Sequence, residues 1–281
     1  MNSNFTKKIF YDTFKNLRDN KVSVLYPSLN TDVFDALMKN ASNKKDSNNN
    51  ETDEYNNLDE QNKCLNKKFV FLSINRYERK KDLKLAVKAM ASLKRRLTEN
   101  QSDSQEEKTN KDLWSSCHLI LSGGYDKRLG ENINHYAELK ELVKSLNIEE
   151  NVSLMRSIND KQKIDLLDKV SHCLIYTPTN EHFGIVPVEA MYCRKPVIAV
   201  STGGPLETVL DSKTGFLVKS DPEEFSQKML VLLKNTPEEN QKLGSQAHQH
   251  VIKNFSFQAF KQKLNSIMTK SLNNLDTNKL D

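Results

Sequence analysis

The chain has 281 residues, with 42 Lys and Arg against 37 Asp and Glu and a formal net charge of +5. This length allows one large or two medium domains. The excess of basic residues suits phosphate-bearing ligands or an anionic membrane surface. No apolar run approaches the ~20 residues that a membrane-spanning helix needs. Neither a signal peptide nor a helix-turn-helix, RNP or zinc-finger pattern is present. We therefore expect a globular protein that has no nucleic acid as a partner.

Two polar stretches interrupt the pattern of a folded domain. They run from 40 to 66 and from 98 to 112, and both are rich in polar residues with an excess of acids. Neither contains enough apolar residues to offset the entropy lost on ordering the chain. We predict that both are disordered insertions in a domain that spans 22–272, with residues 273–281 as a frayed tail.

A cationic loop follows the first predicted strand, which is the apolar run 69–72. An amphipathic helix is predicted from about 82 to 97, and four cations lie between strand and helix, at Arg76, Arg79, Lys80 and Lys81. The end of a strand and the start of a helix form the usual ligand-binding edge of an open α/β sheet. Such a run is often only a solvated helix start. Because cations are poorly matched to a helix amino terminus, a bound anion is the better explanation.

Two glycine pairs also close predicted strands: Gly123 and Gly124 after 117–122, and Gly203 and Gly204 after 197–200. Without a Cβ atom, the backbone N–H groups can come close to a phosphate or sugar oxygen. A turn from strand to helix also favours glycine for steric reasons alone, so each pair by itself is a weak signal.

Two carboxylates, Glu181 and Glu189, lie eight positions apart after a predicted apolar strand at 172–176. Pro187 suits the first turn of a helix, which puts Glu181 in a loop and Glu189 about one turn into that helix. The helix amino terminus between them is an anion site with a polar rim. A sugar nucleotide matches this arrangement, since its diphosphate lies between hydroxyl groups. By spacing alone, two surface acids, one of them stabilising a helix start, would be the more common explanation, but the neighbouring cations and glycines favour a binding site.

The carboxyl-terminal part predicts a strand at 216–218 and helices at 222–233, 237–253 and 256–272. Two apolar stripes with helical spacing, typical of core faces, are Phe225, Met229 and Leu232, and Phe257, Phe260 and Leu264. The four cysteines are scattered without metal-ligand spacing. We predict that they are reduced and mostly buried.

These motifs together resemble the retaining glycosyltransferases with the GT-B fold, glycosyltransferase family 4, whose donor-binding half carries a Glu-x7-Glu motif. The resemblance runs from about Val22 to Leu264. The segments that carry it are 24–30, 73–81, 123–126, 157 with 160–163, and 176–192. Within the family, the chain resembles one group more than the family at large. This group transfers mannose from GDP-mannose to a dolichol-diphosphate-linked oligosaccharide, through α-1,3 or α-1,6 bonds.

The resemblance implies a role for individual residues. Arg76 and Lys81 would hold the donor diphosphate, Glu189 would bind the ribose, and Glu181 would lie near the transferred sugar. Glu181 would orient and stabilise rather than form a covalent bond. Further implied substrate-binding positions are His182, Phe183 and Gly184 through their backbone, the glycines at 123, 124, 203 and 204, and Met155, Arg156 and Ser157 in a base-binding loop.

The implied fold is α/β, with a doubly wound, Rossmann-like parallel sheet that forms the carboxyl-terminal, donor-binding domain of a GT-B enzyme. Residues 1–21 would be a remnant of the end of the amino-terminal domain. The implied partners are GDP-mannose, the dolichol-linked oligosaccharide, the membrane surface on the cytosolic face of the endoplasmic reticulum and other enzymes of the dolichol pathway. The chain contains no Asp-x-Asp pair that could chelate a metal to a diphosphate, so we expect no metal and no other cofactor.

Two alternatives remain open. Another transferase of the family would use a different donor, such as a UDP-sugar. A nucleotide-sugar-binding module would lack catalysis, because the acceptor of a two-domain transferase lies largely on the first domain. A dehydrogenase fits poorly, since the sequence 123–126 is Gly-Gly-Tyr-Asp and not the Gly-x-Gly-x-x-Gly of dinucleotide-binding turns.

Overall fold

A six-stranded parallel sheet forms the centre of the protein. The computed structural model describes residues 1–17, 22–39, 57, 60, 62–64, 67–99 and 104–277. The strands are β1 Phe69–Ile74, β2 Cys117–Gly123, β3 Val152–Arg156, β4 Cys173–Tyr176, β5 Val197–Val200 and β6 Gly215–Val218. Their order is β3-β2-β1-β4-β5-β6, with every neighbouring pair parallel. This is the doubly wound order that reverses between β1 and β4, so the predicted fold class is confirmed.

Helices cover both faces of the sheet. They are α1 Asn4–Thr13, α2 Thr31–Lys39, α3 Leu83–Thr98, α4 Ser104–Ser116, α5 Gly130–Ser145, α6 Asp160–Asp165, α7 Ile185–Tyr192, α8 Pro205–Thr208, α9 Pro222–Lys234, α10 Pro237–Phe255 and α11 Phe257–Thr277. The local sequence explains where several of these helices begin. The Asp221 side chain accepts from the first turn of α9, and Thr236 forms a capping box with Glu239 at the start of α10. Both helices carry proline at the first helical position.

The sheet separates two apolar cores. On one face Phe71 and Leu119 pack with α3, α5 and α9, and on the other Leu72 and Leu174 pack with α7 and α10. Strands buried on both faces read as continuous apolar runs, which is why the run 69–72 predicted a strand. The stripe of Phe225, Met229 and Leu232 is fully buried, as predicted. The equivalent stripe of α11 is not, since Phe257 is 63% exposed.

The second polar stretch is partly helical, and the prediction that 98–112 is disordered is wrong for residues 104–112. They form the beginning of α4, which ends directly before β2. Leu113 and Trp114, in the last turn of α4, pack against the core. These anchoring residues lie just past the polar stretch, so its composition alone did not indicate a helix.

The first polar stretch contributes ordered contacts to the edge strand β3. The Asn57 amide donates to the carbonyl of Arg156 over 2.6 Å and accepts from its N–H group over 2.8 Å. The Glu60 carbonyl accepts from the Ser153 hydroxyl at 2.7 Å. Such contacts satisfy polar groups that an edge strand leaves unpaired, so predicted disorder is wrong at these positions. Most of 40–66 lies outside the described residues.

Three further expectations have an outcome in the fold. Helix α11 continues to Thr277, so the predicted tail is helical over 273–277, and its last four residues lie outside the described part. The four cysteines are reduced and buried, as predicted, and burial raises the pKa of Cys117 to about 12. Within the described part of the chain, the helices lack the combination of length and apolar character needed to cross a membrane.

Gly244 lets α10 pack closely against the turn after α7, because a Cβ atom there would lie 2.2 Å from the carbonyl oxygen of Arg194. We predict that Gly244→Ala destabilises the protein by about 1–3 kcal/mol, since this backbone clash outweighs the helix propensity of about 1 kcal/mol that alanine adds. Urea unfolding measures the effect. Gly130→Ala is the matched control, because a Cβ atom at Gly130 meets nothing within 4 Å. Equal stability of the Gly244 variant and the wild type would contradict the predicted close packing.

Candidate functional site

A pocket of about 340 Å³ opens at the carboxyl ends of β1, β2 and β4. This is the point where the strand order reverses and where ligands of open α/β sheets bind. The lining residues are Ile74, Asn75, Arg76, Lys81, Gly123, Gly124, Lys163, Tyr176, Glu181, Gly184, Ile185, Val186 and Glu189. The pocket therefore brings together seven of the residues predicted from sequence, which come from three separate segments at the ends of β1, β2 and β4.

The loop after β1 presents only two of its four cations to the pocket. Arg76 and Lys81 line it, and the Lys81 backbone is held by a 2.7 Å hydrogen bond from the Thr177 hydroxyl to its carbonyl. Arg79 turns away to pair with Glu138 on α5. Lys80 points to solvent with 67% of its side chain exposed.

Glu181 and Lys81 form an ion pair across the mouth of the pocket. Burial acts to raise the pKa of Glu181, but the Lys81 ammonium and the His182 backbone N–H outweigh burial, so the pKa lies below its usual range. Tyr176 lies behind this pair. Its pKa is raised by burial and, in addition, by the charge of Glu181 and a hydrogen bond to it. The site thus holds an ionised carboxylate beside a protonated phenol.

Glu189 lies in the second turn of α7 and is 7% exposed. One of its oxygens accepts from the Lys163 ammonium at 2.9 Å. The other, Oε2, is buried and has no hydrogen-bond partner among the described residues. Because a buried carboxylate oxygen without a partner is costly, this atom is an acceptor well suited to a ligand hydroxyl.

Lys163 is the functional residue that our sequence reasoning missed. It belongs to the stretch 160–163 that carried the family resemblance, but that stretch alone did not assign it a role. Its position on α6 places its ammonium in the pocket wall opposite α7. Only the tertiary structure reveals this contact, because Lys163 and Glu189 are 26 residues apart in sequence.

The two glycine pairs have different functions. Gly123 and Gly124 line the pocket, and a Cβ atom at Gly123 would lie 2.2 Å from the Asn75 carbonyl oxygen. Gly203 and Gly204 lie beneath the Glu181 loop instead of in the pocket wall. The Gly204 N–H donates to the Glu181 carbonyl at 2.6 Å.

Gly203 and Gly204 do not line the pocket, and their backbone packs against the Glu181 loop. Cβ atoms at these positions would lie 2.6 Å from the Glu181 carbonyl oxygen and 2.2 Å from the Phe183 carbonyl oxygen. Close backbone packing therefore accounts for glycine at both positions, and a backbone contact of this pair to the ligand stays a prediction.

The three residues after Glu181 differ in whether they line the pocket. Gly184 lines the pocket with φ 78° and directly precedes α7. The side chains of His182 and Phe183 point away from it. Nδ1 of His182 lies 2.9 Å from the Thr6 hydroxyl, and Phe183 is buried in the core. Since neither residue belongs to the pocket wall, a backbone contact to the ligand stays a prediction for both.

The predicted base-binding residues adjoin the pocket without lining it. Met155 and Arg156 are part of β3, where Met155 is buried and the Arg156 guanidinium lies 4.9 Å from the centre of the Tyr125 ring. The Ser157 N–H donates to the carbonyl of Gly123 at 2.9 Å. Their role in binding a base stays a prediction.

Comparisons with known proteins agree with this geometry. Residues 54–250 match the family of glycosyl transferases group 1. The chain is 43% identical over 272 residues to the alpha-1,3/1,6-mannosyltransferase ALG2 of Homo sapiens, which covers 97% of this chain and 58% of that protein. It is 44% identical over 270 residues to ALG2 of Dictyostelium discoideum, covering 96% and 60%. The chain therefore spans about three-fifths of the length of these curated relatives.

Solved structures share the fold. A glycosyltransferase from Rickettsia africae superposes with a TM-score of 0.71 at 21% identity, covering 96% of this chain and 62% of the other. The Anabaena HepE protein in complex with UDP-glucose gives 0.69 at 21% identity, with 96% and 62% covered. At this level of identity the similarity concerns the fold alone.

The ion pair predicts how Glu181 titrates. Replacing Lys81 by Met removes the charge that holds the pKa of Glu181 down, and burial then raises it above its usual range of about 4. Carbon-13 NMR of the glutamate carboxyls measures the shift, with Lys80→Met as the control because Lys80 pairs with Glu78. In the wild type, the lowered pKa stabilises the fold at neutral pH, and this contribution is lost as the pH falls through the folded-state pKa. An unchanged Glu181 pKa in Lys81→Met would contradict the assigned cause.

Proposed function

Because the chain belongs to the group 1 glycosyl transferases, we propose that it is the donor-binding part of a mannosyltransferase that uses GDP-mannose. The acceptor is a dolichol-diphosphate-linked oligosaccharide, extended through α-1,3 or α-1,6 bonds. The observation that carries the proposal is the pocket with two lysine-paired carboxylates, Glu181 and Glu189, on either side of the start of α7. The names of the two relatives described above support the choice of mannose and of the linkage.

In this proposal the donor diphosphate lies between Arg76, Lys81 and the first turn of α7. Departure of a nucleoside diphosphate builds negative charge, and preorganised cations together with backbone N–H groups stabilise it. Each charge-assisted hydrogen bond is worth roughly 1.5–3 kcal/mol. We further propose that these fixed cations act without a bound metal.

The two carboxylates divide the remaining work. Glu189 accepts from a ribose hydroxyl through the buried oxygen that has no partner in the described part of the chain, while Lys163 neutralises its other oxygen. Glu181 lies beside the transferred mannose, accepts from a sugar hydroxyl and orients the reacting carbon. Because the pKa of Glu181 is lowered, it stays an ionised acceptor at neutral pH and does not donate a proton.

A dolichol-linked acceptor is held in a bilayer, so we also propose that the protein works at the cytosolic face of the endoplasmic reticulum membrane. The net charge of +5 supports contact with an anionic membrane surface. Other enzymes of the dolichol pathway are the proposed neighbours there, since they supply and consume the same lipid-linked sugars.

The proposal is tested by donor choice followed by transfer. We expect calorimetry to show that GDP-mannose binds more tightly than UDP-glucose, and with the same affinity in EDTA as in Mg²⁺. A protein that includes this chain should then transfer labelled mannose from GDP-mannose to lipid-linked Man1GlcNAc2. Tighter binding of UDP-glucose would replace the proposed donor, a strict need for Mg²⁺ would overturn the role of the fixed cations, and binding without transfer would indicate a binding module.

The division between the carboxylates is tested with GDP alone. Glu189→Ala should weaken GDP binding by roughly 10-fold or more, because the ribose hydroxyl loses a charged acceptor worth about 1.5–3 kcal/mol. Glu181→Ala should leave the GDP dissociation constant nearly unchanged and reduce transfer. Calorimetry with GDP and transfer assays with GDP-mannose give the two values, and equal losses of GDP affinity in both variants would contradict the division.

A further inference from the structure

Glu207 binds four hydrogen-bond donors, and its role is not explained by the pocket. Its carboxylate accepts from the backbone N–H groups of Asn4 and Phe5 at 2.8 Å each. It also accepts from the Asn4 side-chain amide at 2.9 Å and from the Tyr26 hydroxyl at 2.8 Å. The partners of Glu207 thus lie in the first turn of α1 and at Tyr26, which follows that helix, and all of them are more than 180 residues away in sequence.

The same first turn of α1 touches the loop that carries Glu181. Thr6 lies one position after Phe5, and its hydroxyl is 2.9 Å from Nδ1 of His182. The hydroxyl proton of Thr6 is donated to the Asn2 side chain at 2.6 Å. In this arrangement the Thr6 hydroxyl, which also accepts from the Ser3 hydroxyl at 2.8 Å, accepts from His182 when the neutral imidazole carries its proton on Nδ1.

A second link between Glu207 and the Glu181 loop runs through Gly204. Glu207 lies in α8, three residues after Gly204, and the Gly204 N–H donates to the carbonyl of Glu181. The loop is therefore held between the turn at Gly203 and Gly204 on one side and Thr6 on the other. Glu207 connects these two supports.

A simple helix cap does not require this arrangement. Ser3 already caps α1, since its hydroxyl accepts from the N–H of Thr6 at 2.9 Å. Glu207 fixes the orientation of α1 relative to α8, because it binds the N–H groups of Asn4 and Phe5 and the Tyr26 hydroxyl.

We propose that Glu207 is a positioning residue for Glu181: by binding the first turn of α1, it holds Thr6 against His182 and thereby fixes the loop that carries the Glu181 carboxylate. This inference rests on the proposed function of Glu181 beside the transferred sugar. Glu207 itself touches neither the pocket nor the donor.

Replacement of Glu207 by Gln tests the acceptor requirement with little change of shape. All four neighbours donate, so the amide nitrogen of glutamine would face donors where an oxygen now accepts. Thr6→Val is the second variant, because it keeps the branched shape and removes the acceptor for His182. Glu141→Gln is the matched control, since Glu141 is exposed on α5 and remote from this contact.

The experiment compares these variants of the 281-residue chain by NMR and calorimetry. Nitrogen-15 signals of His182 report the tautomer, carbon-13 signals of Glu181 report its carboxyl pKa, and calorimetry gives the affinities for GDP and GDP-mannose. In Glu207→Gln and Thr6→Val we expect loss of the Nδ1–H preference and a shifted Glu181 titration. We also expect at least a fivefold loss of GDP-mannose affinity, with GDP affinity within twofold of wild type. Glu141→Gln should match the wild type in every measurement.

Unchanged His182 and Glu181 signals in folded Glu207→Gln would overturn the positioning role. So would equal losses of affinity for GDP and GDP-mannose, which indicate a general structural effect. If Glu207→Gln does not fold, the Thr6→Val variant tests the proposal through the same NMR signals and the same two affinities. If the wild type binds neither nucleotide, the proposed function fails. The NMR signals then still show whether Glu207 controls the position of the Glu181 loop.

Discussion

The reversal of strand order between β1 and β4 is the constraint on which the site depends. Beyond this point the connections of the two strands run to opposite faces of the sheet, which leaves a crevice at their carboxyl ends. Only Phe71 and Leu72 of β1 are in register with β4, whereas six residues pair β1 with β2. Lys81 enters the crevice from one side and Glu181 from the other, so the ion pair between them crosses the line of reversal.

The electrostatics of the pocket indicate function more than stability. Burying an ion pair carries a desolvation penalty that often cancels its attraction, and here both acids of the pocket are paired with lysines. A carboxyl group with a lowered pKa, Glu181, beside a phenol with a raised pKa, Tyr176, is typical of binding and catalytic sites. Oε2 of Glu189 adds an acceptor that none of the residues in the described ranges satisfies. A nucleotide sugar, with its phosphates and hydroxyl groups, is complementary to this mixture of cations and acceptors.

The Glu181 loop is rigid for identifiable reasons. Asn180 has φ 54° and Gly184 has φ 78°, so the backbone turns sharply on both sides of the acid. The glycines at 203 and 204 bring a second turn into backbone contact from below. Phe183 anchors the loop in the core, where its ring lies 5.8 Å from that of Tyr26 and 5.7 Å from that of Phe255. A site built in this way holds its acid in place before the ligand arrives, which is the usual requirement for efficient positioning.

Local patterns in the sequence determined the fold class and much of the site. Apolar runs bounded by glycine located the central strands, and the chemistry of residues at strand ends pointed to Arg76, Lys81, Glu181 and Glu189, all of which line one pocket. Such signals are visible because each depends on neighbours within a few residues.

Tertiary structure decided the features that depend on distant partners. Gly203 and Gly204 pack against the Glu181 loop, and Lys163 gains its role because the fold brings its ammonium within 2.9 Å of Glu189. The stripes on α9 and α11 both have helical spacing, yet Phe225 is buried and Phe257 is exposed. Periodicity states which residues share a face, but what covers that face is set by long-range packing. The sequence by itself therefore determined which residues could do the chemistry, and the order of strands in the sheet decided which of them meet.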